Sequence, residues 1–177
     1  MPKIPLVLWG GTDIDSKIYH RPQSNHSQNP DKARDIKEQA IINMAITKEQ
    51  PIIGVCRGAQ LLCAINGGIL YQHSVPKTQN HSILTLDGIL FDNVRAGHHQ
   101  VMNPAGKFIV YGWNPEHVKV WHDDEHTEEI KNTAEVVWWP ETKCLGIQPH
   151  PEWSTPDDPF VIWLNDLIKR LGIDYNF

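Results

Sequence analysis

Cys56 stands at the centre of Gly54-Val55-Cys56-Arg57-Gly58, directly after the apolar run Pro51 to Val55 and before a stretch with helical patterning. A glycine two residues to either side permits a tight strand-to-helix turn that lifts the central side chain clear of a sheet. This is the geometry of a nucleophile elbow, with cysteine in place of serine. At a helix start, the positive end of the macrodipole and the unpaired backbone N–H groups favour thiolate over thiol, whose ordinary pKa is about 8.5. The N–H of Arg57 would meet an oxyanion forming at an attacked carbonyl. The pattern predicts nucleophilic catalysis by an activated thiol. Its competitor is a buried structural cysteine between incidental glycines.

A thiol nucleophile needs a base, and with ten histidines in the chain the mere presence of one selects none. His150-Pro151-Glu152 differs because it follows the apolar run Cys144 to Gln148. A histidine at a strand end can face the elbow, and a carboxylate two residues on can hold its ring and tautomer. His20, His26, His73, His81 and His117 have no partner that spacing identifies and read as surface or loop residues. His122-Asp123-Asp124-Glu125-His126 fits the H-x-x-E-H zinc pattern but lacks the apolar helix face that motif needs, so it reads as a solvated acidic loop. Cys63 and Cys144 read as packed residues, and Trp153 as a pocket or packing residue. No metal ligand set and no cofactor is expected.

The elements that must position these residues follow from periodicity. Ile4 to Trp9 reads as a buried strand ending at Gly10-Gly11, and Ser16 to Pro30 as a loop. A helix is predicted from Asp31 to about Thr47–Gln50, with Ala33, Ile36, Ala40, Ile41, Met44 and Ala45 on its buried face and Pro51 ending it. Pro51 to Val55 is a strand, and Arg57 to Asn66 a helix stopped by Gly67-Gly68. Ile83–Leu86, Phe108–Tyr111, Val118–Trp121, Ala134–Trp139 and Cys144–Gln148 read as strands, Trp138 and Trp139 lying in one with a single buried side. A last helix starts with Asp158 as cap and Pro159 in its first turn, and closes at Gly172. This alternation predicts one α/β domain over residues 1–177, with a mostly parallel central sheet and some antiparallel strands in the second half.

Bulk properties narrow the partners. A net charge of −5 without a basic run leaves no footprint for nucleic acid or an anionic membrane, and no apolar stretch approaches the roughly 20 residues of a membrane span. The opening residues do not read as a signal peptide, and three cysteines argue against a disulfide framework, so a cytoplasmic location is expected.

The elbow reads Gly-Val-Cys-Arg-Gly-Ala-Gln, and Gly146-Ile147-Gln148-Pro149-His150-Pro151-Glu152 is similar to Gly-Val-Gln-Trp-His-Pro-Glu. Together they resemble a class I glutamine amidotransferase-like domain, nearest to the γ-glutamyl-γ-aminobutyrate hydrolases of peptidase family C26. Gly10-Gly11-Thr12-Asp13-Ile14-Asp15, Arg34-Asp35 with Glu38, Gly67 to Gln72, and His98-His99-Gln100 resemble further motifs of that branch, in the same order. The resemblance implies a flavodoxin-like three-layer sandwich. It implies that Cys56 attacks a glutamyl γ-carbonyl to form a thioester, that His150 shuttles the proton and that Glu152 orients His150. Backbone N–H groups of Gly10, Gly11 and Arg57 would form the oxyanion hole, and Gln60 with the His98-His99-Gln100 backbone would hold the glutamyl group. Two activities fit: a stand-alone hydrolase of a small-molecule γ-glutamyl amide, or a glutaminase subunit passing ammonia to a separate synthetase.

The chain departs from the family pattern at Pro149, where tryptophan is usual, and at Ala96-Gly97, where Asn-Ser-x is common. It also begins almost at the strand before Gly10-Gly11, whereas family members carry two strand–helix units ahead of it. An edge of the sheet is therefore missing, and it is expected to be short, covered, or paired with another subunit in a homodimer.

Overall fold

The computed structural model describes residues 3–75 and 79–177. In chain order it contains β1 (Leu6–Leu8), α1 (Lys32–Thr47), β2 (Ile52–Val55), α2 (Arg57–Ile65), β3 (Ile69–Tyr71), β4 (His73–Val75), β5 (His81–Thr85), β6 (Leu90–Val94), β7 (Val101–Asn103), β8 (Ile109–Trp121), β9 (Thr127–Trp139), β10 (Cys144–Ile147) and α3 (Pro159–Arg170). Short 3-10 turns cover Ser16–Tyr19 and Pro151–Trp153. No helix of the described residues is long and apolar enough to cross a membrane.

The sheet runs β1-β2-β10-β9-β8-β5-β6. The α/β layers are as expected, but among the named strands the parallel pairings are confined to β1, β2 and β10, and the other strand pairs are antiparallel. The parallel strands are joined through helices. The antiparallel remainder grows from one long hairpin, β8 and β9. Two predicted strands, Phe108–Tyr111 and Val118–Trp121, are parts of the single strand β8. Asn114-Pro115 resembles a turn, yet Pro115 sits within an irregular register between Asn114 and His117, where a missing donor is tolerated.

One core lies between the sheet and helices α1 and α2, with Ile42, Leu61, Leu62, Leu70 and Trp139 at its centre. The other lies under α3, where Phe160, Leu164 and Ile168 meet Ile53, Val55 and Ile147. Trp138 and Trp139 are both buried, one toward each core, so their strand is covered on two sides. The predicted inner face of α1 holds at Ala45 and fails at Ala33, Ile36, Ala40, Ile41 and Met44. Asp35, Ile42 and Ala45 are buried, whereas Ile36 is 68% and Met44 56% exposed. The helix is turned this way because Asp35 and Glu38 face the buried guanidinium of Arg57. A buried cation without its carboxylates would cost several kcal/mol, more than the burial of one apolar side chain returns.

Cys56, Cys63 and Cys144 are all buried and unbridged. Burial pushes the Cys56 and Cys63 thiols up to about 12 and Cys144 up to about 11. A raised folded-state pKa stabilises the fold fully below the unfolded thiol's pKa of about 8.5, and that contribution is lost as pH climbs toward the folded value. Each thiol should remove about 1.4 kcal/mol per pH unit above pH ~9. Urea midpoints at pH 8, 9 and 10 should fall accordingly, and the Cys63→Ala/Cys144→Ala variant should fall less steeply. An unchanged slope in the variant would refute the assignment.

Candidate active site

The elbow forms because backbone crowds it from both sides. A Cβ on Gly54 would lie 2.5 Å from the Gly58 backbone, and one on Gly58 would lie 2.4 Å from the Leu8 carbonyl oxygen. α2 can start directly against β1 and β2 only with both glycines in place. Cys56 takes φ 51° and ψ −107°, a region that favours glycine, and its N–H donates to the Ile147 carbonyl at 2.8 Å. Such a conformation costs a non-glycine residue on the order of 1–3 kcal/mol. Glycine at position 56 should therefore give a fold about 1–3 kcal/mol more stable than alanine there. Comparing the urea midpoints of Cys56→Gly and Cys56→Ala checks this, and an alanine variant of equal or higher stability would remove the strain.

Cys56 is 7% exposed. Burial dominates its titration, the Arg57 backbone N–H opposes it, and the charges of Glu152, Glu135 and Asp13 add to it. The expected thiolate is thus not the resting form. One N–H at a helix start is a weaker influence than this desolvation, so the resting group is a thiol.

His150 leaves the end of β10 and is 6% exposed. Its Nδ1–H donates to Glu152 Oε1 at 2.7 Å, which turns Nε2 away from the carboxylate, and its backbone N–H donates to the Arg95 carbonyl at 2.7 Å. Gly10 locates the histidine relative to the thiol. A Cβ at Gly10 would stand 3.0 Å from His150 Cε1 and 3.6 Å from Cys56 Cβ, so the glycine loop, the cysteine and the imidazole share one small space. Trp153 lies flat on the imidazole, with centroids 3.6 Å apart and planes within 2°. It therefore lines the site instead of packing elsewhere, and its indole also lies 3.2 Å from a Cβ built at Gly97. Tryptophan is absent at 149 but supplied at 153, against the same histidine.

The loop of Gly10 and Gly11 is held by an ion network that the motif around Arg34 encodes. Arg57, fully buried, pairs with Asp35 and Glu38. Glu38 also accepts from Arg34 at 2.7 Å, and Arg34 in turn donates to the carbonyls of Trp9 (2.8 Å) and Gly10 (3.1 Å). Asp35 accepts from the Asp15 N–H at 2.9 Å. The Arg57 side chain is thus committed to structure, leaving only its backbone N–H for chemistry. Gln60 is buried one turn along α2, and its N–H donates to the Cys56 carbonyl at 3.1 Å.

The side chains of the 98–100 turn do not converge on Cys56. His98 Nδ1–H donates to the Gln100 carbonyl at 2.9 Å while its other nitrogen faces Glu135. His99 Nε2–H donates to Asp13 at 3.0 Å and its Nδ1 meets His73 Nδ1 at 3.2 Å, while Gln100 donates to Ser27 Oγ at 3.4 Å. His73 and His81 are therefore not the unpartnered surface residues their spacing suggested. Gln72, buried, explains why its segment matters: its amide accepts from Ser24 N–H and donates to the Pro22 carbonyl, pinning the 22–27 loop. His122 and His126 close the turn of the long hairpin, His126 donating to Asp123 at 2.8 Å and His122 lying 2.9 Å from Glu128.

A model of the Peptidase C26 family matches residues 5–152. The chain is 30% identical to the glutamine amidotransferase-like protein YvdE of Lactococcus lactis, covering 85% of this chain and 67% of that protein. It is 22% identical to gamma-glutamyl-gamma-aminobutyrate hydrolase PuuD of Escherichia coli K12, covering 89% of this chain and 67% of that protein. Across eight curated relatives the chain spans 27% to 67% of their length. The structure of PurLQS from Thermotoga maritima has the same fold at a TM-score of 0.53 and 15% identity, covering 85% of this chain and 88% of that one.

Proposed function

The chain belongs to the peptidase C26 family, and from that premise we propose that it hydrolyses a γ-glutamyl amide through a glutamyl thioester on Cys56. The observation that carries this reading is the shared space at Gly10, with the Cβ of Cys56 on one side and a Glu152-oriented imidazole on the other. Cys56 Sγ attacks the γ-carbonyl carbon as its proton passes to His150 Nε2. The carbonyl oxygen becomes an oxyanion, which accepts hydrogen bonds from backbone N–H groups of Arg57 and the Gly10-Gly11 loop. Glu152 stabilises the imidazolium, and the indole of Trp153 supports it from its face. His150 then gives that proton to the amine nitrogen as the C–N bond breaks. A water molecule, deprotonated by His150, attacks the thioester, releasing glutamate and restoring the thiol.

A glutaminase subunit that passes ammonia to a separate synthetase is the second reading, supported by the 30% identity to a glutamine amidotransferase-like protein. Glutamate release measured over a panel of γ-glutamyl amides and free glutamine separates the two. The hydrolase reading expects turnover of at least one γ-glutamyl conjugate by the chain alone. Turnover of glutamine only, and only with a synthetase present, would replace it by the second reading.

A further inference from the structure

Apart from the thiol site, three buried side chains from distant parts of the chain converge on one point. His81 opens β5, His98 lies in the turn before β7, and Glu135 is the extra residue of a bulge in β9, where Val136 pairs with Gly112 but Ala134 with Trp113. Glu135 is fully buried, and His98 and His81 are 4% and 6% exposed. Glu135 Oε2 lies 3.4 Å from His81 Nε2 and 3.6 Å from His98 Nε2, and the ligand-capable atoms of the three residues all fall within 4.8 Å of one another.

Two features select what belongs between them. Each ring turns its Nδ1 onto a backbone carbonyl at 2.9 Å, His81 onto Gln79 and His98 onto Gln100. A carbonyl only accepts, so Nδ1 carries a proton in both rings and Nε2 is the nitrogen aimed at the carboxylate. Clamping the outer nitrogen in this way is how proteins orient metal-bound histidines. The separations are the second feature. A ring N–H that hydrogen-bonds a carboxylate closes to about 2.7–2.9 Å, as the Nδ1–H of His150 does with Glu152 at 2.7 Å and that of His126 with Asp123 at 2.8 Å. Pairs at 3.4 and 3.6 Å are longer than that. The two nitrogen–oxygen separations come close instead to the edges of a tetrahedron, about 3.3–3.4 Å, that bonds of about 2.0–2.1 Å to a central zinc ion generate, and the two Nε2 atoms lie within 4.8 Å of one another.

We propose that His81, His98 and Glu135 bind a zinc-type divalent cation through two Nε2 atoms and one carboxylate oxygen. Two imidazoles with a single carboxylate suit zinc and its transition-metal neighbours over calcium or magnesium, which take oxygen ligands. The ion would tie β5, the 98–100 turn and the β9 bulge together, with Thr133 Oγ1 holding the other carboxylate oxygen at 3.4 Å. The site stands whether or not the thiol site cleaves glutamyl amides.

The test uses the full chain without a histidine tag, loaded with Zn2+, dialysed, then followed by elemental analysis and thermal melting. The expected result is about one tightly held zinc per chain and a higher melting temperature than after chelation. Glu135→Gln and His81→Ala should each weaken zinc binding about tenfold or more. His126→Ala, in the exposed hairpin turn, should retain it. The Co2+-loaded protein should give the visible spectrum of a tetrahedral nitrogen-and-oxygen site without a thiolate charge-transfer band. Zinc below about a tenth of an equivalent in folded wild type would overturn the proposal, as would undiminished zinc in His81→Ala/Glu135→Gln or a cobalt–thiolate band. Wild-type loading and the cobalt spectrum decide the matter even if a substitution in this buried cluster prevents folding.

Discussion

Replacing Cys56 by alanine should lower glutamate release by a factor on the order of 10⁴ or more while the fold persists. The size follows from the proposed mechanism, in which loss of the sulfur leaves no thioester and only the oxyanion donors and bound water remain. His150→Ala should be nearly as severe at neutral pH, for a reason specific to this thiol. With its pKa pushed up to about 12 by burial, Cys56 is ionised to only about one part in 10⁵ at pH 7, so attack depends on proton transfer to the histidine as the bond forms. The sign of the pH effect follows. Raising the pH refills the thiolate that the lost base no longer generates, so residual kcat/KM of His150→Ala should climb about tenfold per pH unit from pH 7 to 10. Wild type should not show that climb. Rate profiles of both proteins over this range decide it. A flat profile for the variant would mean that the thiol is already ionised at rest, and an active Cys56→Ala would remove the nucleophile altogether.

What the sequence discloses about this site depends on how local each cause is. The elbow and its two helices are legible because glycine spacing, an apolar run and the caps at Asp31 and Asp158 act over a few residues, and both caps are present. The rotation of α1 is not legible. Ile36, Ala40 and Met44 look like an inner face, and only the Arg57 guanidinium, more than twenty residues away, turns Asp35 inward instead. Strands β3, β4 and β7 have three residues each, too short for a period of two to be distinguished. The partners of His81 and Asp13 are equally hidden, since Glu135 and His99 lie 54 and 86 residues further along and meet them only through the folded sheet. His150 with Glu152 was readable because the acceptor is two residues away.

The same ion network that turns α1 yields the largest expected change in stability. Arg57→Met should destabilise the fold by about 3–5 kcal/mol, a large part of the roughly 5–15 kcal/mol available to a domain. The guanidinium is fully buried and meets two carboxylates, Asp35 through one nitrogen and Glu38 through the other. The loss is unequal between them. Glu38 keeps Arg34 at 2.7 Å, whereas Asp35, 2% exposed, would retain only the Asp15 N–H at 2.9 Å to offset a buried charge. Adding Asp35→Leu should therefore restore about 1–3 kcal/mol to the Arg57→Met background while destabilising the wild type, the coupling expected when one buried charge is present for the other. Arg57→Lys should fall between, since an ammonium can meet one carboxylate but lacks the fork that reaches both. Activity should drop further than stability alone explains, because Asp15 and, through Glu38 and Arg34, the carbonyls of Trp9 and Gly10 are anchored to this network. Urea unfolding of the three variants with kcat measured under folded conditions tests both parts. Arg57→Met within about 1 kcal/mol of wild type, or additive effects at 57 and 35, would mean that the apolar contacts of α1 position the loop instead.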